Sequence, residues 1–283
     1  MTFWSGKRVL ITGASSGLGL AIAELLAARG VHVALVARDR ARLEAAQEAA
    51  STARSDPGTK LLAYSCDVSN WDEMSAVATR AEAELGPIDV LAACAGFCTP
   101  GRFTELAVTE FEDHVAANLL GVIYASRAVA PQMMTRGRGH IAMVGSMGGL
   151  VGVYGYSAYS AAKFGVTGFA EVLRCEMKPH GIGVSLLCPP NMETPGYARE
   201  LAIEPPETAA INGIAKVSAP EDIARVFLRG IERNHFLILP GLSNKLLYRV
   251  EGLWPELFFA IFDGTVTRVR REASTREGVH ADV

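Results

Sequence analysis

Short apolar runs alternate with longer amphipathic segments along most of the chain, and this alternation predicts the elements. Arg8–Thr12 reads as a strand, and residues 17–29 as a helix with Ala21, Ile22, Leu25 and Leu26 on one face. Gly30 stops that helix, and residues 31–37 form a second apolar run of strand length. A helix rich in Ala, Glu and Arg over 39–53, the turn Ser55-Asp56-Pro57-Gly58, a strand at Leu61–Ser65 and a helix at Trp71–Leu85 come next. Residues 89–93 and 140–145 predict the fourth and fifth strands, with one long helix or two over 109–134 between them. A helix over 156–179, a strand over 183–188, a helix over 220–233 and a strand over 236–239 complete the series.

Strand–helix alternation at this pitch implies an α/β fold with a mostly parallel sheet of about seven strands and helices on both faces. Right-handed crossovers make it a doubly wound, Rossmann-type sheet whose ligand crevice lies at the carboxyl ends of the strands. A chain of 283 residues has room for one large domain or two small ones, and no repeat or linker marks a second. One domain over residues 1–240, followed by a helical extension over 241–283, is therefore expected.

Composition narrows the class. A net charge of −3 gives no reason to expect nucleic acid as a partner. Cys66, Cys94, Cys98, Cys175 and Cys188 form neither a Cys-x-x-Cys pair nor a His/Cys metal spacing, as expected of reduced core thiols in a cytoplasmic protein. The glycine-rich motif begins by residue 13, so no cleaved signal peptide is expected before it. The apolar stretch over 9–28 is broken by Gly13, Gly17, Gly19 and Glu24, which argues against a membrane span.

The first strand runs into Thr12-Gly13-Ala14-Ser15-Ser16-Gly17-Leu18-Gly19 and then a helix. In that context Gly13 permits a sharp turn, Gly17 lets the backbone approach a pyrophosphate, and Gly19 lets helix and strand pack closely. The helix N-terminus adds the positive end of its dipole. Gly13, Ser15, Ser16, Gly17, Leu18 and Gly19 are thus candidate dinucleotide ligands. The second strand ends at Ala37-Arg38-Asp39, with Arg42 one turn on. Two guanidiniums suit a ribose 2′-phosphate, which favours NADPH. The competing reading pairs Arg38 with Asp39 or Glu44 and makes Asp39 the ribose ligand of NAD. Asp67 in Cys66-Asp67-Val68 is placed to accept from an adenine amino group or to cap the next helix, with Ser69 or Asn70 better placed as caps.

Tyr159 and Lys163 lie at i and i+4 and share a helix face. A lysine cation near a phenol favours its phenolate and brings its acid–base chemistry towards neutrality. Ser146 follows the fifth strand, where a hydroxyl reaches the crevice. Asn118, in Ala116-Ala117-Asn118-Leu119-Leu120-Gly121, is costly within a helix and is more often exposed or capping.

The glycine motif, Asp67, Asn118, Ser146 and Tyr159-x-x-x-Lys163 together resemble the short-chain dehydrogenases/reductases over about residues 5 to 240. The resemblance implies that Tyr159 protonates the developing alkoxide and that Ser146 hydrogen-bonds the substrate carbonyl. It also implies that Lys163 holds the nicotinamide ribose and lowers the pKa of Tyr159, and that Asn118 anchors a proton-relay water. Thr194 would bind the nicotinamide carboxamide, while Val68 and Gly96 would contact the cofactor. Two positions depart from the family pattern. Ala93-Cys94-Ala95-Gly96 stands where the family has Asn-Asn-Ala-Gly, so a structural asparagine is missing at Ala93, and Pro189-Pro190 replaces Pro-Gly.

The run Tyr154-Gly155-Tyr156, with Glu176-Met177-Lys178-Pro179 and Pro189-Pro190…Glu193-Thr194-Pro195-Gly196, is similar to one subgroup, the 3-ketodihydrosphingosine (3-dehydrosphinganine) reductases. That similarity implies NADPH-dependent reduction of a long-chain lipid ketone. A 3-oxoacyl thioester, a steroid or a xenobiotic ketone stays open as substrate, because the pocket comes from loops near 97–106, 147–156 and 191–217. A dinucleotide-sensing protein without catalysis is the reading from another class. Helices near 112–134 and 156–179 resemble the family's dimer surface, so a homo-oligomer is expected.

Beyond residue 240, Leu246, Val250, Leu253, Leu257, Ile261 and Phe262 recur at helical spacing with Trp254 and Phe258 among them, and Pro255 is expected to break the helix in two. Lys245, Arg249, Arg268, Arg270 and Arg271 flank this apolar face. The segment fits packing over the cleft or against a second subunit first, with peripheral contact at the cytoplasmic face of a membrane as the competing reading.

Overall fold

A computed structural model of the chain describes residues 3–213 and 216–281. Seven parallel strands form one sheet: β1 (Arg8–Thr12), β2 (His32–Ala37), β3 (Leu61–Ser65), β4 (Val90–Ala93), β5 (Gly139–Val144), β6 (Ile182–Leu187) and β7 (Leu237–Ile238). Their order is β3-β2-β1-β4-β5-β6-β7. The order reverses at β1, which pairs with β2 on one side and β4 on the other. The chain leaves these neighbours in opposite directions and opens a crevice at their carboxyl ends. Strands buried on both faces read as continuous apolar runs, and Val9, Leu10 and Ile11 of β1 are all buried.

Helices α1 (Gly17–Ala27), α2 (Arg40–Ala53) and α9 (Pro220–Glu232) cover one face. Ile22 and Leu26 of α1 and Phe227 of α9 close that core with Leu35 and Ile11. Helices α3 (Trp71–Leu85), α5 (Gly121–Arg136) and α6 (Ser157–Met177) cover the other face, around Met74, Val129 and Val166. Each helix is placed by local chemistry. Asn70 caps α3 by accepting from Asp72 and Glu73, and Asp39 caps α2 by accepting from Arg42. Gly30, at φ +69°, ends the turn after α1 in a conformation that side-chain-bearing residues avoid.

The expected helix over 109–134 is three pieces. Helix α4 (Val108–His114) passes into a π-helical turn (Val115–Leu120) before α5 begins. A π turn adds a residue to the helical cycle and changes which side chains face inward. It is this turn that carries Asn118, which is fully buried rather than exposed or capping.

Two short helices stand where no element was expected: α7 (Pro195–Leu201) and α8 (Pro206–Asn212). Both have proline in the first turn, and Thr194 caps α7 by accepting from Tyr197. That is a start signal legible in the sequence. Residues 214 and 215 of the expected pocket segment 191–217 lie outside the described residues.

Pro255 divides the extension as expected, into α10 (Leu242–Leu253) and α11 (Pro255–Ala281). Phe258 is buried against the α6 side of the core, with Phe262 and Tyr248 packed beside it. Helix α11 also reaches α8 through a charged latch. The carboxylate of Glu207, only 2% exposed, accepts from Arg102 Nη2 at 3.1 Å, Arg270 Nε at 3.2 Å and the Tyr154 hydroxyl at 3.3 Å. Burial acts upward on the Glu207 carboxyl, but its own backbone N–H, with Arg102 and Arg270, outweighs this and holds the carboxyl below its usual range.

The thiols divide differently from the expectation. Cys66 and Cys188 are buried, Cys94 and Cys98 are half-buried at the cavity described below, and Cys175 is exposed on the outer face of α6. The neighbouring Leu173 and Met177 face inward, so helical periodicity turns position 175 to solvent.

Candidate active site

The crevice holds a cavity of about 600 Å³. Its floor is the glycine turn, and its geometry shows why these positions are glycine. Gly13 sits at φ +68°, and a Cβ there would lie 2.7 Å from Ala95 Cα. A Cβ on Gly19 would lie 2.3 Å from the Gly13 carbonyl oxygen, so turn and helix are in contact. Gly17, at φ +53°, faces Thr194 Cγ2 across the cavity mouth. Helix α1 starts at Ser16 without a side-chain cap. Its first-turn N–H groups therefore point at open space, the arrangement a phosphate satisfies. The turn fits a dinucleotide pyrophosphate. Gly13, Ser15, Ser16, Gly17, Leu18 and Gly19 all line the cavity.

Arg38, Arg42, Asp67 and Val68 line the end of the cavity beside β2 and β3. Asp39 is already engaged as the α2 cap through Arg42 N at 3.0 Å, and Glu44 pairs with Arg40 at 2.8 Å. Neither is the partner of Arg38, whose guanidinium stands 4.0 Å from Asp67 and is largely exposed. Asp67 caps nothing in α3. It accepts from both the backbone and the hydroxyl of Ser69, at 2.9 and 2.7 Å. Burial works upward on its carboxyl, yet those hydrogen bonds and the Arg38 charge hold it below the usual carboxylate range.

At the other end, Lys163 is 4% exposed and donates from Nζ to the Val144 carbonyl at 3.0 Å. Asn118 turns its amide onto Phe97, accepting from N and donating to O, both at 3.0 Å. Removing it would leave two part-buried backbone groups of Phe97 without this partner. Gly96 fits beneath this pair because it has no side chain: a Cβ would lie 2.4 Å from Asn118 Oδ1 and 3.4 Å from Lys163 Nζ. His114, fully buried, fixes the next residues. Its Nε2 accepts from Thr99 N at 3.0 Å, so Nδ1 carries the proton donated to the Glu110 carbonyl.

Tyr159 lines the cavity one turn before Lys163. Ser146 is not among the lining residues. Strand β5 ends at Val144, and Ser146 caps the short turn Met147–Gly149, accepting from Gly148 at 3.0 Å. Its hydroxyl is nonetheless near enough to the Tyr159 phenol to act downward on its pKa.

Burial, with the Cys98 thiol and the Glu200 carboxylate behind it, drives the Tyr159 phenol well above its usual range, and Ser146 acts against this. The Lys163 ammonium is directed at Val144 and stands 5.8 Å from the ring centroid. Burial pulls Lys163 itself down to about 8. Tyr159 is therefore protonated at neutral pH.

Phe97, Cys98, Thr99, Arg199, Glu200 and Ile203 also line the cavity. They fall in the segments 97–106 and 191–217 expected to build the pocket, although none of them was singled out as a site residue; Arg199 and Glu200 are placed by the cap and proline that start α7.

Comparison with known proteins agrees with this geometry. The family model described as short chain dehydrogenase matches residues 7–202. A 3-dehydrosphinganine reductase of Danio rerio is 37% identical over 244 residues, covering 86% of this chain and 74% of that protein. A 3-ketodihydrosphingosine reductase of Dictyostelium discoideum is 34% identical over 273 residues, 91% of this chain and 81% of that protein. Among solved structures, a short chain dehydrogenase/reductase from Burkholderia phymatum in complex with NAD superposes with a TM-score of 0.80 at 26% identity, covering 91% of this chain and 96% of that one. The chain belongs to the short-chain dehydrogenase/reductase family of oxidoreductases, whose cofactor is a nicotinamide dinucleotide.

Proposed function

We propose that this enzyme reduces a long-chain ketone of the 3-ketodihydrosphingosine kind to a secondary alcohol, with NADPH as the preferred reductant. The observation that carries the proposal is a protonated, half-buried Tyr159 in the cavity wall, with Ser146 in reach and Lys163 one helical turn beyond. The dinucleotide, when bound along the glycine turn, supplies the hydride. Everything else falls to side chains of this chain. Tyr159 gives its proton to the carbonyl oxygen as negative charge develops there. Ser146 holds the phenol and hydrogen-bonds the same oxygen. Lys163 holds the nicotinamide ribose and, once an acceptor replaces part of its lost hydration, supplies positive charge to the phenolate left behind. Asn118 keeps Phe97 and Gly96 in place beneath the ring and anchors the relay water. Thr194 receives the carboxamide, and Gly96 and Val68 shape the cofactor wall.

The preference for NADPH rests on Arg38 and Arg42 at the adenosine end and on Asp39 being engaged as a helix cap. The substrate class rests on the likeness to sphingoid-ketone reductases. It also rests on the Tyr154-Gly155-Tyr156 run, which builds the lid over the cleft: Tyr154 enters the Glu207 latch, and Tyr156 accepts from Asn212 at 2.8 Å. Gly155, at φ +83°, lies so close to Thr208 that a Cβ would meet its hydroxyl at 2.2 Å. Residues 1–240 act as the catalytic domain and 241–283 as its lid and membrane-facing extension. A homo-oligomer through α5 and α6 accounts for the exposed Phe164 and Val172 on α6.

Peripheral membrane contact accounts for the extension. No helix among the described residues is long and apolar enough to cross a membrane. Leu242, Leu246, Leu253, Trp254, Leu257 and Ile261 are nevertheless exposed, with Leu242 at 83%. Lys245 and Arg249 are exposed beside them. An apolar face with basic neighbours suits the headgroup boundary of the cytoplasmic leaflet, where a long-chain substrate resides.

Four outcomes are expected. Tyr159→Phe lowers kcat for a long-chain 3-ketosphinganine by about 10²–10⁴-fold while fluorescence titration shows NADPH still bound; unaltered turnover would sink the mechanism. In the same assay the unmodified enzyme oxidises NADPH faster with that ketone than with 3-oxoacyl thioesters or steroid ketones. Arg38→Ala raises KM for NADPH about tenfold with little change for NADH, and equal effects on both would remove the 2′-phosphate role. The protein co-floats with vesicles containing anionic lipid, and Leu246→Glu with Leu253→Glu abolishes this; flotation of both forms alike would contradict the membrane assignment.

A further inference from the structure

Two carboxylates at the catalytic cavity have no part in the reduction described above. Glu200, on α7, lines the cavity with Tyr159. It is close enough for its charge to act on the phenol and on the Cys98 thiol, which lines the same cavity. Glu204, one turn further along the chain, accepts from Asn212 Nδ2 at 2.8 Å, and the same amide donates to the Tyr156 hydroxyl at 2.8 Å. The second carboxylate is thereby fixed behind the first. Among the described residues, neither carboxylate has a lysine or arginine within ion-pair distance. Arg199 lowers the Glu200 carboxyl from a distance but is exposed.

Such an arrangement is unfavourable without a partner. Burial first, and the Glu204 charge second, push the Glu200 carboxyl up to about 7. Two carboxylates facing one desolvated space repel each other, and a cation entering that space removes the cost. Elsewhere the lid meets its buried acid with protein cations: Glu207 has both Arg102 and Arg270. Among the described residues no lysine or arginine forms an ion pair with Glu200, and the side chain lines the catalytic cavity.

Resting on the ketone-reductase reading, we propose that Glu200, backed by Glu204, binds the cationic amino group of the substrate and makes the enzyme selective for long-chain 2-amino ketones over neutral ketones. The chemistry fits the reacting geometry. In a 2-amino ketone the ammonium sits on the carbon next to the carbonyl, so a carbonyl oxygen at Tyr159 brings the ammonium into the same neighbourhood. Glu200 then fixes which side of the ketone carries the short polar end. The alkyl chain is left to run past Ile203, which is exposed on the apolar margin of the cavity.

The test is a binding comparison on the NADP-loaded enzyme by isothermal titration. One probe is a medium-chain saturated 2-amino-1,3-diol, the product form; the other is the same chain with hydrogen in place of the amino group. The unmodified protein is expected to bind the amine about tenfold or more tightly, as a charge-assisted contact in a desolvated site allows. In Glu200→Gln that ratio falls to near one, and in Glu204→Gln it falls part of the way. Equal binding of the two probes by the unmodified protein overturns the proposal, as does a preference that survives in the Glu200→Gln Glu204→Gln double variant. Turnover is measured separately. Preference for the amine without reduction of any ketone removes the reductase reading and leaves the subsite standing. Reduction of amino and neutral ketones with equal kcat/KM, together with equal binding, removes the subsite and leaves the reductase.

Discussion

A buried ammonium is the constraint on which the rest of this site depends. Lys163 has lost nearly all its hydration and has regained one carbonyl, that of Val144 at the end of β5. A cation in such a place is unfavourable on its own, which is why its pKa falls to about 8. It stays where it is because the fold around it is closely fitted. Gly149 lies against the Lys163 backbone, where a Cβ would be 2.7 Å from the Lys163 carbonyl oxygen, and Gly96 lies under the ammonium itself. The short turn capped by Ser146 is therefore pressed onto α6, and Ser146 reaches Tyr159 as a consequence of the same packing. In the proposed mechanism a cofactor ribose would supply a second acceptor beside Val144, so that cofactor binding and preparation of the acid would be coupled.

The second organising feature is the way the lid is tied down. Helix α8, the link between α7 and α8, the run 154–156 and α11 are held by the single carboxylate of Glu207 and by the Asn212 amide, each with several partners. Buried polar groups of this kind are stable only when fully partnered, and loss of one partner is felt by all. The extension is thus coupled to the substrate cleft through Arg270 while Phe258 anchors it to the core. An extension that contacts a membrane would transmit that contact to the lid by this path.

Much of this was legible in the residues. Strands β1 and β3 and helix α3 fall where the apolar pattern puts them, because strands buried on both faces and a capped amphipathic helix leave strong local signals. The glycine turn was legible for the same reason, since close backbone contact leaves glycine as the only residue that fits. The Tyr159/Lys163 pair was legible as spacing, and the cavity places both where that spacing implied. What escaped was tertiary. The π turn at 115–120 redirects Asn118 inward, and no local propensity marks it. The elevated phenol of Tyr159 arises from burial and from Cys98 and Glu200, which lie about 60 and 40 positions away in the chain and meet it only in the fold. Helices α7 and α8 did carry a cap-and-proline signal, but each is only two turns long and too short for periodicity to register.

The account stands or falls on the state of Lys163 before any cofactor arrives. Titration of the lysine ammonium groups by nitrogen-detected NMR in the cofactor-free protein, with Lys163→Met to assign the resonance, measures it directly. The burial described here predicts one lysine titrating near 8, apart from the rest. A Lys163 that titrates with the exposed lysines, near the ordinary value of about 10.4, would mean a solvated ammonium and would contradict the site as built.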